Sequence, residues 1–498
     1  MMRRRLVFIA LLATQLVACA AKPHTKAKAP AAKPVATAPA PDPEAWRGKR
    51  PNSTAPSAVN FPVSIERRLA NGLTLLFVPR QAPITTLQLV VRGGAATVPA
   101  GKSGLAAIVA RMLTEGTVKK SALELAIATE SLGSSLSHDA ERDAISLGME
   151  VLPRDVPAAL ALLAEVVQTP AFRTADLQRV KAEWQDQLQS ERQNPMRLAS
   201  LAALRTLFGP ELGAPVSGSA LDVEKLTRND LLTWHKAQVS PGNSALILVG
   251  DLDPELITQQ AGELFGKWAA AKAAGTTRNA PVVPAAQKSR LILIDRPGSV
   301  QSAIFAAHSF PKRSEPGHEA REVVSSLFGG LFTSRLNMNL REQHAYTYGA
   351  RSTVAAARNF GLFAISTSVE RDVTAESIVQ IFVELKALRD PNLKRPIAAE
   401  EIQRAKADLS HELGASLEHT GRVADRVATQ FVQGLALDYH ARYGATLAGL
   451  APAQIEQAAQ LINSDQLTLV VVGDRAAIEP KLAALQLPIE IASKQLTE

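Results

Sequence analysis

The chain has 498 residues, with 55 Lys and Arg against 47 Asp and Glu, a formal net charge of +8, and a single cysteine, Cys19. The charge excess lies in residues 1–60, which carry ten basic and two acidic side chains, while the remaining 438 balance at 45 and 45. The globular part therefore has no basic excess with which to hold nucleic acid, and no disulfide framework or cysteine metal site can form within the chain.

The chain opens MMRRRLVFIALLATQLVACA: three Arg, an apolar run over residues 6–12, then small residues. The run is too short to cross a bilayer core and reads as a secretory signal over residues 1–19. Leu16-Val17-Ala18-Cys19 is similar to the bacterial lipobox, which implies a lipid on Cys19 and attachment to a membrane through it. Ala20, rather than Asp, follows the cysteine. By the same sorting pattern this implies the bacterial cell envelope, at the outer membrane facing the periplasm. Residues 20–58 are rich in Ala, Pro and Lys, lack apolar periodicity, and are expected to form a flexible tether with His24 solvated.

Residues 59–270 read as a first domain. TTLQLVVRGG at 85–94 has strand character, and 118–132, 153–168 and 174–194 have helical spacing, with Ser121 and Glu124 placed as a capping box. A linker is expected over 271–289 and a second domain over 290–498. That second domain has a strand in LILIDR at 291–296 and helices over 398–418 and 452–462. SALILVGDLDPELI at 244–257 echoes LTLVVVGDRAAIEP at 467–480, and LQRVKAEWQDQL at 177–188 echoes IQRAKADLSHEL at 402–413. The offsets, 223 and 225 residues, argue for a duplicated unit. The expected class is α+β, helices on largely antiparallel sheets.

Two segments carry the chemistry. Residues 104–117, GLAAIVARMLTEGT, keep Gly104, Leu105, Ala106, Met112, Leu113, Gly116 and Thr117 of a frame that resembles the zinc helix of the pitrilysin/insulinase family, in its processing-peptidase-like branch. Active members read roughly G-L-A-H-F-L-E-H-M-L-F-x-G-T, with two His holding zinc and a Glu activating water. Here those three positions are Ala107, Ala110 and Arg111, and counting back from Pro195 puts the distal ligand at Gln187, beside Asp186. Ala offers no lone pair, Gln is a poor neutral ligand, and Arg brings a fixed positive charge. The resemblance thus implies a vacated metal site and a chain without catalytic machinery of its own.

The second segment, LFGGLFTSRLNMNLREQHAYTYGARS at 327–352, is similar to the family's noncatalytic half. The resemblance implies that Gly329, Gly330, Arg341 and Tyr348 contact substrate, with Arg and Tyr reaching a peptide carbonyl across a chamber. A turn and an interior salt link are the alternative reading of the same residues. His138, His235, His308, His318, His344 and His440 are scattered, and His411 with Glu412 and Glu418 with His419 form the densest cluster. Ordinary surface or core histidines are expected at all of them. The family also implies two homologous halves, each of two α/β sandwich subdomains, closing as a clamshell.

The function expected is that of a noncatalytic, substrate-binding subunit. It would pair with a zinc-bearing homologous subunit that supplies the metal and base, act on unstructured peptides, and bind no cofactor itself. A peptide-binding or scaffold protein without proteolysis, and a zinc endopeptidase with unusual ligands, are the alternatives.

Overall fold

The computed structural model describes residues 44–48, 59–269, 288–390 and 395–493. The chain divides into two units, Met1–Ala55 and Pro56–Glu498. In the first, the described residues form one 3-10 turn, Ala45–Gly48. The expected signal, Cys19, the rest of the tether and all of the linker but residues 288 and 289 lie outside the described residues. Among the described residues no helix is long and apolar enough to cross a membrane.

The second unit holds two six-stranded sheets. The first is built from β1 (Ile65–Arg68), β2 (Thr74–Pro79), β3 (Thr85–Arg92), β4 (Ser137–Ala140), β5 (Ala144–Val151) and β6 (Ser244–Gly250), in the order β1-β2-β6-β3-β5-β4. The second is built from β7 (Arg290–Asp295), β8 (Gln301–Phe310), β9 (Thr347–Ala356), β10 (Gly361–Glu370), β11 (Thr468–Gly473) and β12 (Ile489–Ile491), in the order β12-β7-β11-β8-β10-β9. Five of the six strands follow the same order in both sheets, β2-β6-β3-β5-β4 and β7-β11-β8-β10-β9, as the sequence repeat predicts. The sixth differs: β1 pairs antiparallel with β2, whereas β12 pairs parallel with β7. Most other pairings are antiparallel, and β2–β6 and β7–β11 are parallel.

β6 and β11, the strands of the repeat, are buried along their whole length. Period-2 alternation divides their side chains between two faces. In β6, Leu246 and Leu248 join the core formed with the first half's own helices, while Ala245, Ile247 and Val249 join a core shared with the second half. In β11, Val470 and Val472 pack with Ala199, Ala202 and Ala203 of the helix Pro195–Leu212, which belongs to the first half. Phe208 and Leu212 of that helix continue onto Phe360, Leu362 and Ala364. Reciprocally, the helix Thr420–Gln433 of the second half packs on β6 and β3.

Each half thus lays one helix on the other's sheet, and the clamshell closes by this exchange. The two subdomains expected in each half merge around one sheet, with the half's own helices on one face and the visiting helix on the other. Burying a large side chain such as Phe208 stabilises by roughly 1.5–3 kcal/mol. Polar contacts fix the register. Arg92 donates to the Phe431 carbonyl at 2.6 Å, Thr86 bonds Thr420 at 2.8 Å, and Arg80 donates to the Leu417 carbonyl at 2.7 Å.

Candidate functional site

The helix Leu105–Leu113 starts at Gly104, which is left-handed (φ 91°) and lies where a Cβ would come within 2.8 Å of the Ser217 carbonyl. Any side chain there would be strained and obstructed, so this family-frame position requires glycine. Ala107 and Ala110 are buried, and Ala110 belongs to the first half's core. Their methyl groups are enclosed by the protein and donate nothing.

Arg111 is not idle. Its guanidinium pairs with Glu115, donates to Thr114 Oγ1 at 2.9 Å, and lies 3.8 Å from Glu183. Glu115 is only 6% exposed and also pairs with Arg179, which reaches Glu183 at 2.8 Å. Two Arg and two Glu therefore close a ring between the helix Leu105–Leu113 and the helix Thr174–Gln193. Gln187 lies outside it: exposed, it donates to Glu191 at 3.3 Å. Asp186 is exposed as well. The residue that reaches across is Glu183, one turn earlier. Sequence reasoning missed Glu115, Arg179 and Glu183, although the i,i+4 spacings Arg111–Glu115 and Arg179–Glu183 carry that signal.

These residues do not fit a zinc ion. One histidine position is the methyl group of Ala107, the other is Arg111, a cation already neutralised by its own carboxylates, and the position of the base is the methyl group of Ala110. His138, on β4, has its pKa lowered by burial and then by the charge of Arg111. Among the described residues, no three His, Cys, Asp or Glu side chains are grouped to hold a metal. The other histidines have local roles. Burial lowers His235, His308 and His440 to about 4, and their Nε2 atoms meet the Val167 carbonyl, the Asn463 amide and the Arg426 carbonyl. His318 faces Glu322 at 3.2 Å, and His344 stacks on Tyr346 with centroids 4.9 Å apart. His411 and His419 are exposed, and Glu412 pairs with Arg426 at 2.9 Å.

In the second half, the helix His318–Ser325 runs into a π-helical turn, Ser326–Gly330, and a second π-helical turn spans Met338–Gln343. Such turns are rare and recur at functional sites. Gly329 is buried, and a Cβ there would collide with the Ser352 amide of β9, so its small size serves the chain's own strand. Gly330 is exposed, with room around it.

Arg335, 1% exposed, holds Glu401 through two bonds of 2.7 and 2.8 Å and also donates to the Pro396 carbonyl at 2.8 Å. Burial would raise the Glu401 carboxyl, but the Arg335 hydrogen bonds hold it below the usual value. The interior salt link of the motif is therefore Arg335–Glu401. Arg341 is half-buried, 3.4 Å from Glu342, with its guanidinium 4.7 Å from the centre of the Phe332 ring. Tyr348 is 88% exposed, whereas Tyr346 packs against the core. Among the described residues, no hydrogen bond or ion pair joins the Arg111 ring to Arg341 or Tyr348.

Residues 77–215 match the family model described as insulinase (peptidase family M16), and residues 225–409 match the one described as peptidase M16 inactive domain. An uncharacterized zinc protease of Rickettsia bellii is 21% identical over 83% of this chain and 98% of its own. A protein of Helicobacter pylori described as a non-peptidase homolog is 22% identical over 72% of this chain and 81% of its own. Among solved structures, a peptidase M16 inactive domain from Pseudomonas fluorescens superposes with a TM-score of 0.75 at 24% identity, covering 82% of this chain and 97% of that one. A protease from Helicobacter pylori superposes with a TM-score of 0.76 at 18% identity, covering 83% and 100%. The chain belongs to the insulinase/pitrilysin family of peptidases, M16, as a member without the family's catalytic motif.

Proposed function

We propose that this chain is a noncatalytic, substrate-binding subunit of a heteromeric zinc metallopeptidase in the bacterial cell envelope. The observation that carries this reading is an asymmetry. The metal position of one half is closed by Arg111 and its carboxylates, while in the other half Tyr348 stands exposed and the half-buried Arg341 is uncommitted to the core. An always-charged guanidinium and a phenol hydroxyl are suited to holding a peptide carbonyl, and they serve hydrolysis when a separate chain brings metal and base to that carbonyl. In this reading the substrate is an unstructured peptide, the partner is a zinc-bearing homologous subunit, and a lipid on Cys19 holds the chain at the outer membrane facing the periplasm.

A peptide-binding or scaffold protein without proteolysis is the second reading, favoured by the likeness to a relative described as a non-peptidase homolog. A zinc endopeptidase with unusual ligands would have to displace Arg111 from between Glu115 and Glu183.

Affinity capture of the tagged, lipidated chain from its own envelope, with mass spectrometry and zinc quantification, tests this. A near-stoichiometric second chain carrying H-x-x-E-H, with about one zinc per pair, is expected from the ligand chemistry of such a site. A lone chain without zinc would move the assignment to the scaffold reading. Replacing Cys19→Ser is expected to release the protein from membranes, and unchanged fractionation would argue against the lipid anchor.

A further inference from the structure

Phe332 lies at the tip of a turn, closed by the Ser334 N–H donating to the Leu331 carbonyl at 3.1 Å, and its side chain is 57% exposed. One exposed apolar side chain means little by itself. Here, however, the tip is held rigidly from below. The buried Asn337 donates to the Leu331 carbonyl at 3.1 Å and accepts from the Ala350 N–H of β9 at 2.8 Å, which ties the turn to the strand carrying Tyr348. Two residues on, the buried Asn339 donates to Glu384 at 2.8 Å and to Gln380 at 3.2 Å. Glu384 is itself fully buried and paired with Arg395 at 2.5 Å. These bonds anchor the π-helical turn that carries Arg341 to the helix Thr374–Arg389. Phe332, Arg341 and Tyr348 therefore lie on three segments, a turn, a π-helical turn and β9, that are tied together by these bonds, and the Arg341 cation lies against the Phe332 ring.

We propose that Phe332 is a specificity-determining residue: with Arg341 it forms a subsite that selects an apolar side chain on the bound peptide, next to the carbonyl that Arg341 and Tyr348 hold. This rests on the peptide-binding reading above and adds the class of peptide. The ring's contact with the guanidinium orients both groups, and a cation on the ring does not repel an apolar neighbour. A Leu or Phe of the peptide gains by covering exposed ring surface, whereas a Ser or Asn there loses water without gaining a partner. Since one apolar increment in a pocket discriminates by roughly 10-fold to 200-fold, and the Phe332 ring is more than half exposed, the expected preference is about 10-fold.

The test uses the full chain and a positional-scanning library of short unstructured peptides, with dissociation constants from fluorescence anisotropy. The unaltered protein is expected to prefer Leu or Phe over Ser at one peptide position by about 10-fold. Phe332→Ala should reduce that preference to less than about 2-fold, any loss from freeing Arg341 being shared equally by the Leu and Ser peptides, and Phe332→Leu should retain most of it. A preference that survives in Phe332→Ala, with or without an equal loss of affinity for every peptide, would overturn the subsite while leaving peptide binding intact. Failure of the unaltered chain to bind any member of the library would overturn the peptide-binding reading and this inference with it.

Discussion

The two halves share a fold and differ in what they expose. In the first, the helix Leu105–Leu113 ends in a closed ring of charges, with Glu115 between Arg111 and Arg179. In the second, the equivalent stretch breaks into two π-helical turns, with the exposed Phe332 between them, the half-buried Arg341 on the second and the exposed Tyr348 on the β9 strand that follows. The comparison teaches that two copies of one scaffold can carry different surface chemistry, because side chains at equivalent positions are not coupled by packing.

The largest expected effect comes from breaking the difference at its source. The combined variant Ala107→His, Ala110→Glu, Arg111→His and Gln187→Glu is expected to gain about one bound zinc per chain, since it restores two imidazoles and a carboxylate to the metal frame. Metal analysis of the folded, dialysed protein decides it. A folded variant without zinc would mean that helix 105–113 is not placed as the family frame requires, or that Glu183 rather than residue 187 is the reachable carboxylate.

Next is acid sensitivity, which asks whether the halves fail together. Burial lowers His235 in the first half and His308 and His440 in the second to about 4. The unfolded chain binds protons at these sites from about pH 6.5 downward, while the folded chain refuses them until about pH 4. Stability is therefore fully present above pH 6.5 and is lost progressively as pH falls from about 6.5 to about 4, by about 1.4 kcal/mol per pH unit for each site at most. Calorimetry across this window should show one transition moving down as a whole, because each half buries a helix on the other's sheet. Two separating transitions would contradict that coupling.

Arg335→Ala should destabilise the second half by about 3–5 kcal/mol, because it leaves Glu401 without its buried partner. Denaturant unfolding measures this, and a loss below about 1 kcal/mol would place the motif's interior link elsewhere. The smallest stability effect is expected for Arg341→Ala and Tyr348→Phe, within about 0.5 kcal/mol, since Tyr348 is exposed and Arg341 is half-buried with its only ion pair among the described residues to the adjacent Glu342. The same two variants should weaken peptide binding. Unchanged affinity would make this face an ordinary surface.

Much of the fold was legible in the sequence. The strand-Gly-Asp segments at 244–257 and 467–480 are β6 and β11 with the helix starts that follow, and the Ser121–Glu124 capping box is formed as the spacing predicts. These are local signals, which periodicity and side-chain hydrogen bonding fix within a few residues. What periodicity could not reveal is why β6 and β11 are buried on both faces. The answer is a helix from the other half, and an apolar run does not say what covers it. At the candidate site, Ala107, Ala110 and Arg111 could be aligned with a vacated metal position, but the counterions of Arg111 could not. Counting pointed to Gln187, and only the angle between two helices brings Glu183 into reach instead.

The sequence by itself determined that the unit is duplicated and that the residues needed to hold zinc are missing, because residue identity settles whether a side chain has a lone pair to donate. Only the tertiary structure decided which arginine of the second motif belongs to the core and which to the surface. Arg335 and Arg341 are chemically the same residue six positions apart, and an insertion of π-helical geometry between them turns one onto Glu401 and the other toward solvent. That choice depends on backbone path and on what lies across the space between elements, and neither is written in the identity of a side chain.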